Sequence, residues 1–279
     1  MLYHYSIAKL NSDIIHHYLP KMPQDIDLIV AIPRDGILVA SLVSLYRQIP
    51  FTDLGAFVEG RIYRPGKKHR VKPIYNCQVK RILIVDDICA TGSAMREAKA
   101  EIAKLQYDIS VCASTLYAFG GEQKVKSRLI DFYGVEMKSP SHYDWTLCDM
   151  FRSIKTGFDF DGVLCPDCPP GCDDQGIRYK SFILNAPLKL KPNQMGAIIT
   201  WRPEKFRRET EEWLAEHKIT YNQLIMADRA KWKSPVEFKA FHYKNSMLTL
   251  YVESSTRQAQ EIARLTGKPV LSLETQEMF

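Results

Sequence analysis

Short aliphatic runs recur along the chain, and between them lie stretches whose apolar residues fall three or four positions apart. The first pattern marks strands buried on both faces and the second amphipathic helices, so their alternation predicts parallel sheets covered by helices. Strands are expected at "DLIVAIP" (27–33), "ILIVD" (82–86), "SVCASTLY" (110–117) and "LIDFYGV" (129–135), with helices over "ILVASLVSLY" and "SAMREAKAEIAKL". The pattern restarts near residue 156. There "GFDFDGVL", "GAIIT", "LIMAD", "LTLYVES" and "PVLSLE" read as strands, and "PEKFRRETEEWLAEH", "VEFKAFHYKN" and "TRQAQEIARL" as helices. The expectation is α/β, two Rossmann-like domains with mainly parallel sheets, over residues 1–153 and 154–279.

Length agrees: 279 residues are comfortable for two domains, each with its own core. The 46% apolar and 25% charged fractions are those of an ordinary soluble protein, and no apolar run reaches membrane-spanning length. The opening "MLYHYSIAKLNSD" lacks the basic-then-apolar layout of a secretion signal, so a cytoplasmic location is expected. Seven scattered cysteines suit reduced thiols better than a disulfide framework. The net charge of +6 is modest, and much of it sits in "RIYRPGKKHRVK" (61–72). That segment reads either as a solvated loop or as a patch for phosphates.

Two places carry candidate chemistry. In "ILIVDDICATGSAM" (82–95) a buried strand runs into Asp86 and Asp87, and a small-residue turn then opens a helix. Unpaired amides at a helix start can cradle a phosphate, whereas the carboxylates suit sugar hydroxyls or hydrated Mg²⁺. One ligand carrying both a phosphate and a polyol accounts for both halves. The segment resembles the phosphoribosyl-pyrophosphate (PRPP) signature of type I phosphoribosyltransferases. That resemblance implies that Asp86 and Asp87 contact the ribose hydroxyls and that Ala90, Thr91, Gly92 and Ser93 hold the 5-phosphate. Ser93 and Ala94 stand where the family has Gly and Thr, which puts tight PRPP binding in question. "AIPRDG" (31–36) resembles the family's pyrophosphate loop, which makes Arg34, Asp35 and Gly36 candidates for the diphosphate. The basic 61–72 segment falls where the family keeps a mobile lid. Trp145, with Tyr143 in "SHYDWTLCDM", offers a flat surface for a heteroaromatic acceptor, although a core role is the commoner fate of such a residue.

The second place is "GFDFDGVL", where Asp159 and Asp161, two apart on a strand end, face the same way. One can attack phosphorus while the other protonates the leaving oxygen, with Mg²⁺ screening the repulsion between nucleophile and phosphate; a plain cation site has the same pattern. The segment is similar to the first motif of the haloacid dehalogenase (HAD) superfamily. By that resemblance Asp159 is the nucleophile, Asp161 the acid-base that marks phosphatases, Thr200 a phosphate contact, Lys239 the third-motif lysine and Glu253 the fourth-motif acid. Mg²⁺ would be held by Asp159, Asp161 and Glu253. Arg202 lies near enough to Thr200 to reach substrate. Ser254 stands where a second acid is usual. Between the first two motifs, "CPDCPPGCDDQGIRY" falls at the position of a small cap, and Cys165, Cys168 and Cys172 have near-metal spacing without an obvious fourth ligand.

Together the resemblances imply a phosphoribosyltransferase joined to a HAD-like phosphatase. The first domain would transfer phosphoribosyl from PRPP to a nucleobase-like acceptor, and the second would take the 5′-phosphate from the nucleoside monophosphate. Neither a membrane nor nucleic acid is expected as partner, and a homodimer is allowed for. Two rivals stay open: a PRPP-sensing regulator without turnover, and a phosphatase acting alone on nucleotide or nucleic-acid 3′-phosphates.

Overall fold

The computed structural model describes residues 2–61, 79–174 and 176–279. Most of the basic 61–72 segment, with the expected lid, lies outside the described residues. In chain order the strands are β1 (Tyr3–Tyr5), β2 (Leu28–Ala31), β3 (Phe51–Asp53), β4 (Arg81–Cys89), β5 (Ser110–Ala118), β6 (Phe132–Glu136), β7 (Ser141–Tyr143), β8 (Thr156–Phe158), β9 (Ala197–Pro203), β10 (Leu224–Ala227), β11 (Leu250–Glu253) and β12 (Val270–Ser272). The α-helices are α1 (Ile7–Asp13), α2 (Gly36–Arg47), α3 (Leu54–Val58), α4 (Ser93–Ala103), α5 (Gly121–Lys126), α6 (Met150–Ser153), α7 (Ile177–Asn185), α8 (Arg207–Glu216), α9 (Pro235–Lys244) and α10 (Thr256–Thr266). They form two compact units, one of residues 7–139 and the other of residues 1–6 with 140–279.

In the 7–139 unit a five-stranded parallel sheet has the order β3-β2-β4-β5-β6. Leu28, Val30, Ile82, Ile84 and Ala113 project to one face, where they pack with Met95, Ala98 and Ile102 of α4. Ile29, Leu83 and Val85 alternate with them and are equally buried, which is why these strands read as unbroken apolar runs. The chain passes from β2 to one side, forms β3, and returns to the other side of β2 as β4. The sheet therefore reverses its direction of growth between β2 and β4, and open α/β sheets form a crevice at the carboxyl ends of such a strand pair.

The second unit repeats this plan in the order β10-β9-β8-β11-β12, again all parallel, with its reversal between β8 and β11. Phe158, Ile198 and Val252 line one face with Trp213 and Leu214 of α8, whose indole donates to the carbonyl of Ala186 at 2.6 Å. Ala197, Ile199 and Tyr251 line the other with Phe238 and Tyr243 of α9 and Ile262 of α10. Proline after the Ser234 cap starts α9, and Gly267, with φ of 69°, ends α10. Between Phe160 and β9 lies an insertion containing α7, whose Tyr179 and Ile183 pack on Phe206. The same unit holds a two-stranded parallel ribbon of β1 and β7, closed by a 2.7 Å hydrogen bond between His4 Nε2 and Asp144.

Candidate functional site

The first candidate site sits at the reversal between β2 and β4. Register places Ala31, the last residue of β2, beside Val85, and the Ile32 amide donates to the Val85 carbonyl at 2.9 Å, whereas β4 runs on against β5 as far as Cys89. The chain then turns through Pro33 and Arg34, joined by a cis peptide, into Gly36 at the start of α2. A Cβ on Gly36 would lie 2.8 Å from the Val85 carbonyl oxygen and 3.2 Å from Asp86 Cα, so only glycine lets α2 begin against β4. Arg34 Nε donates to Asp35 at 2.6 Å, so the expected diphosphate loop already holds its arginine beside a neighbouring acid.

The sequence places the end of this strand at Asp86, but Asp86 and Asp87 lie within β4, just past the end of β2, and are 9% and 6% exposed. Asp86 accepts from the Asp87 amide at 3.0 Å, and Asp87 from the Ile88 amide at 2.7 Å. Burial, then the charge of Asp87 and, more weakly, that of Asp35 push the Asp86 carboxyl up to about 8. The pair thus holds a proton at neutral pH, and a ligand offering hydroxyl donors or positive charge would favour its release. The following turn exposes Ala90, Thr91 and Ser93 around the start of α4. Gly92 takes φ of 80°, and a Cβ there would meet Leu129 Cδ2 at 2.3 Å. The Thr91 and Ser93 hydroxyls stand 3.1 Å apart and the Ser93 amide donates to Thr91 Oγ1 at 3.4 Å, so two hydroxyls flank the helix start although position 94 is alanine. Arg96 reaches back from α4 to the Thr91 carbonyl at 3.2 Å. Of the residues expected in this site, Arg34, Asp35, Gly36, Asp86, Asp87, Ala90, Thr91, Gly92 and Ser93 all belong to the 7–139 unit. Trp145 belongs to the other unit, where its ring stacks on Tyr143 at 5.5 Å.

The second candidate site occupies the matching reversal between β8 and β11. Asp159 follows β8, its amide donating to the Val252 carbonyl at 2.9 Å, and Glu253 ends β11 beside it. Lys239 of α9 places its ammonium 2.7 Å from Asp159 and 2.8 Å from Glu253, with Gln258 of α10 at 3.2 Å. Lys239 and Glu253 are 2% and 0% exposed. Although burial opposes a charged lysine, the two carboxylates outweigh it and raise the pKa of Lys239. Burial, against which Lys239 acts, and the charge of Glu253 hold Asp159 well above the usual carboxylate range. Two acids share one cation, so the buried group carries net negative charge when both are ionised.

Arg202, at 1% exposure, grips Asp161 with two nitrogens at 2.7 and 3.0 Å. Its guanidinium lies 3.7 Å from the centre of the Phe160 ring and donates to Cys165 Sγ at 3.3 Å. Its Nη1 is buried and has no hydrogen-bond partner among the described residues. Thr200, at 1% exposure, turns its hydroxyl to the Arg202 amide at 3.2 Å. Gly162, with φ of 78°, lets the chain turn away where a Cβ would lie 2.4 Å from Ser254 Cβ.

Among the described residues no three acid, histidine or cysteine side chains are grouped so as to hold a metal ion. Lys239 sits between Asp159 and Glu253, and Arg202 takes Asp161, so cations of the protein meet the three acids that were expected to bind Mg²⁺. Nor do the three cysteines form a zinc group. Cys165 turns to Asp161 at 3.4 Å, and Cys168 to the Pro169 carbonyl of its own loop. Gln258 and Cys165 join the site without being singled out by sequence for these contacts. Gln258 could have been found from the Ser255 cap, which fixes the first turn of α10 next to Glu253.

Comparison with known proteins bears on the first half of the chain. The phosphoribosyl transferase domain model matches residues 3–145, just over half of the chain. The transcriptional regulator GfcR of Methanocella arvoryzae is 31% identical over 98 residues, covering 33% of this chain and 46% of that protein. The GfcR of Thermoplasma acidophilum is 32% identical over 103 residues, covering 36% and 48% respectively. The chain thus spans about half the length of the curated relatives it matches. Of solved structures, xanthine-guanine-hypoxanthine phosphoribosyltransferase from Helicobacter pylori covers 52% of this chain and 93% of its own, with 15% identity and a TM-score of 0.40. The purine phosphoribosyltransferase of Pyrococcus horikoshii gives 51% and 92%, with 19% identity and a TM-score of 0.36. These structural scores are low, and the assignment rests on the family model, whose span contains both the acid pair of β4 and the helix-start turn: the chain belongs to the phosphoribosyl transferase domain family.

Proposed function

We propose that the chain is a bifunctional nucleotide-metabolism enzyme, transferring phosphoribosyl from PRPP to a nucleobase-like acceptor and removing the 5′-phosphate of the product. The observation that carries the first half is the placement of Asp86 and Asp87 beside the Thr91-Gly92-Ser93 turn at the reversal of a family-typed sheet. The acceptor nitrogen bonds to C1 of the ribose as the bond from C1 to pyrophosphate oxygen breaks, and pyrophosphate leaves with the bonding pair. Ribose gains positive charge in between, so the chain's contribution is orientation: the amides and hydroxyls of residues 91–93 hold the 5-phosphate and the acid pair takes the ribose hydroxyls.

The second half rests on the Asp159, Lys239 and Glu253 cluster together with Asp161. An Asp159 oxygen attacks phosphorus, the ester oxygen leaves with a proton from Asp161, and water attacks the aspartyl phosphate as Asp161 takes the proton back. For this Asp161 must exchange Arg202 for substrate, and Lys239 offsets charge at the nucleophile throughout.

A second reading, PRPP sensing without turnover, draws on the two curated relatives named transcriptional regulators. One experiment separates the readings: the full chain is incubated with PRPP and a panel of bases while pyrophosphate is measured, and PRPP affinity is measured alongside. Pyrophosphate release with one base, lost in Asp86→Asn with Asp87→Asn, supports the enzyme. Tight PRPP binding with no release for any base supports the sensor, and no PRPP binding at all defeats both.

A further inference from the structure

A pocket of about 270 Å³ in the unit of residues 1–6 and 140–279 belongs to neither site. It is bordered by the β1–β7 ribbon and by the amino ends of β8 and β11, with Thr156 and Leu250 in its lining. Asp159 lies three residues beyond Thr156, so at strand rise the pocket is about 10 Å from the acid cluster, at the opposite ends of the same strands.

Three cationic or imidazole groups meet there. His142 lines the pocket, is 3% exposed, and has a buried Nε2 without a hydrogen-bond partner among the described residues. A buried polar atom left unpaired is costly, and native sites that keep one commonly reserve it for a ligand or a water. Arg152 donates to the Ser141 carbonyl at 2.9 Å and lies over the Tyr143 ring, and it is paired with no carboxylate among the described residues. Lys155 is exposed and likewise unpaired with any acid among the described residues. Burial first, and the charges of His4 and Arg152 in addition, press the His142 imidazole down to about 4 against the pull of Asp144. Asp144 itself is engaged by His4 at 2.7 Å. The remaining walls include Leu2, Phe151 and Leu250, which are apolar. The volume falls below the usual range for drug-sized ligands, so the occupant is compact.

We propose that this pocket binds a compact phosphate-bearing anion, with Arg152 and Lys155 as charge partners beside the His142 ring. The apolar walls suit the carbon skeleton of a phosphate ester. The proposal is independent of which reaction the two strand-end sites perform.

The test uses the full chain carrying ¹³C-labelled histidine rings, with the His142 signal assigned by its disappearance in His142→Gln. Inorganic phosphate and ribose 5-phosphate are titrated separately. The His142 signal should shift saturably, and Arg152→Gln with Lys155→Gln should raise the half-saturating concentration by about tenfold or more, as loss of charge-assisted contacts implies. Should the double variant fail to fold, Lys155→Gln alone, at an exposed position, should give a smaller rise. Tighter binding of ribose 5-phosphate identifies an ester and equal binding identifies free phosphate, and both uphold the site. A His142 signal that stays still with both probes, or a half-saturation unchanged in the variants, overturns it.

Discussion

At the residue scale, burial raises the carboxyl pKa at both sites, but the neighbours differ. The charge of Asp87 pushes Asp86 further up, whereas the ammonium of Lys239, shared with Glu253, acts against the rise at Asp159. Raising the Asp86 pKa from 3.8 to about 8 means that the folded chain binds a proton the unfolded chain gives up. Its contribution to stability is therefore full below 3.8 and is lost as pH rises towards 8. Thermal melts across that span should show the parent losing stability with rising pH, and Asp86→Asn, which cannot ionise, should flatten the slope and melt higher at the alkaline end. An unchanged slope in the variant would place the titration elsewhere. At the second site, Lys239→Met leaves two buried carboxylates without their cation, and denaturant unfolding should show a loss of about 3–5 kcal/mol. Glu253→Gln in the same background should recover part of it, because one of the two stranded charges is then gone.

At the element scale, each site lies where its sheet reverses its direction of growth, beside glycines whose added Cβ would come within 3 Å of neighbouring atoms. Gly92→Ala meets both a left-handed backbone and the Leu129 side chain, so a cost of about 1–3 kcal/mol and weaker PRPP binding are expected, read by calorimetry and melting together. Loss of affinity without any loss of stability would mean that Leu129 yields and that only the phosphate turn is disturbed. The long elements were legible because burial on both faces writes itself as an aliphatic run: β4, β5, α2, α4, α8 and α10 fall close to where periodicity puts them. The short ones were not. β1 and β7 are three-residue strands rich in tyrosine and histidine, and nothing local to "YHY" or "SHY" reveals that the two pair. The ion pairs escaped for a similar reason: Arg202 and Asp161 are 41 positions apart and Lys239 and Asp159 80, so only the closed sheet brings them together.

At the scale of the whole molecule, both units place their acids at a reversal of sheet growth, and each unit has its own core. Asp159→Asn removes an anionic nucleophile with almost no change in volume, so phosphomonoester hydrolysis should fall by several orders of magnitude while PRPP binding, measured by calorimetry, stays at the parent value. A variant that hydrolyses like the parent would remove Asp159 from the chemistry. The β1–β7 ribbon carries one more consequence, for the order of synthesis. His4 and Asp144 are 140 positions apart, and β1 precedes residues 7–139 but belongs to the unit that follows them. During synthesis β1 therefore emerges before its partner β7 and waits with an unpaired strand edge. Substitutions in β1 touch the unit made after residues 7–139, not the one that adjoins it in sequence.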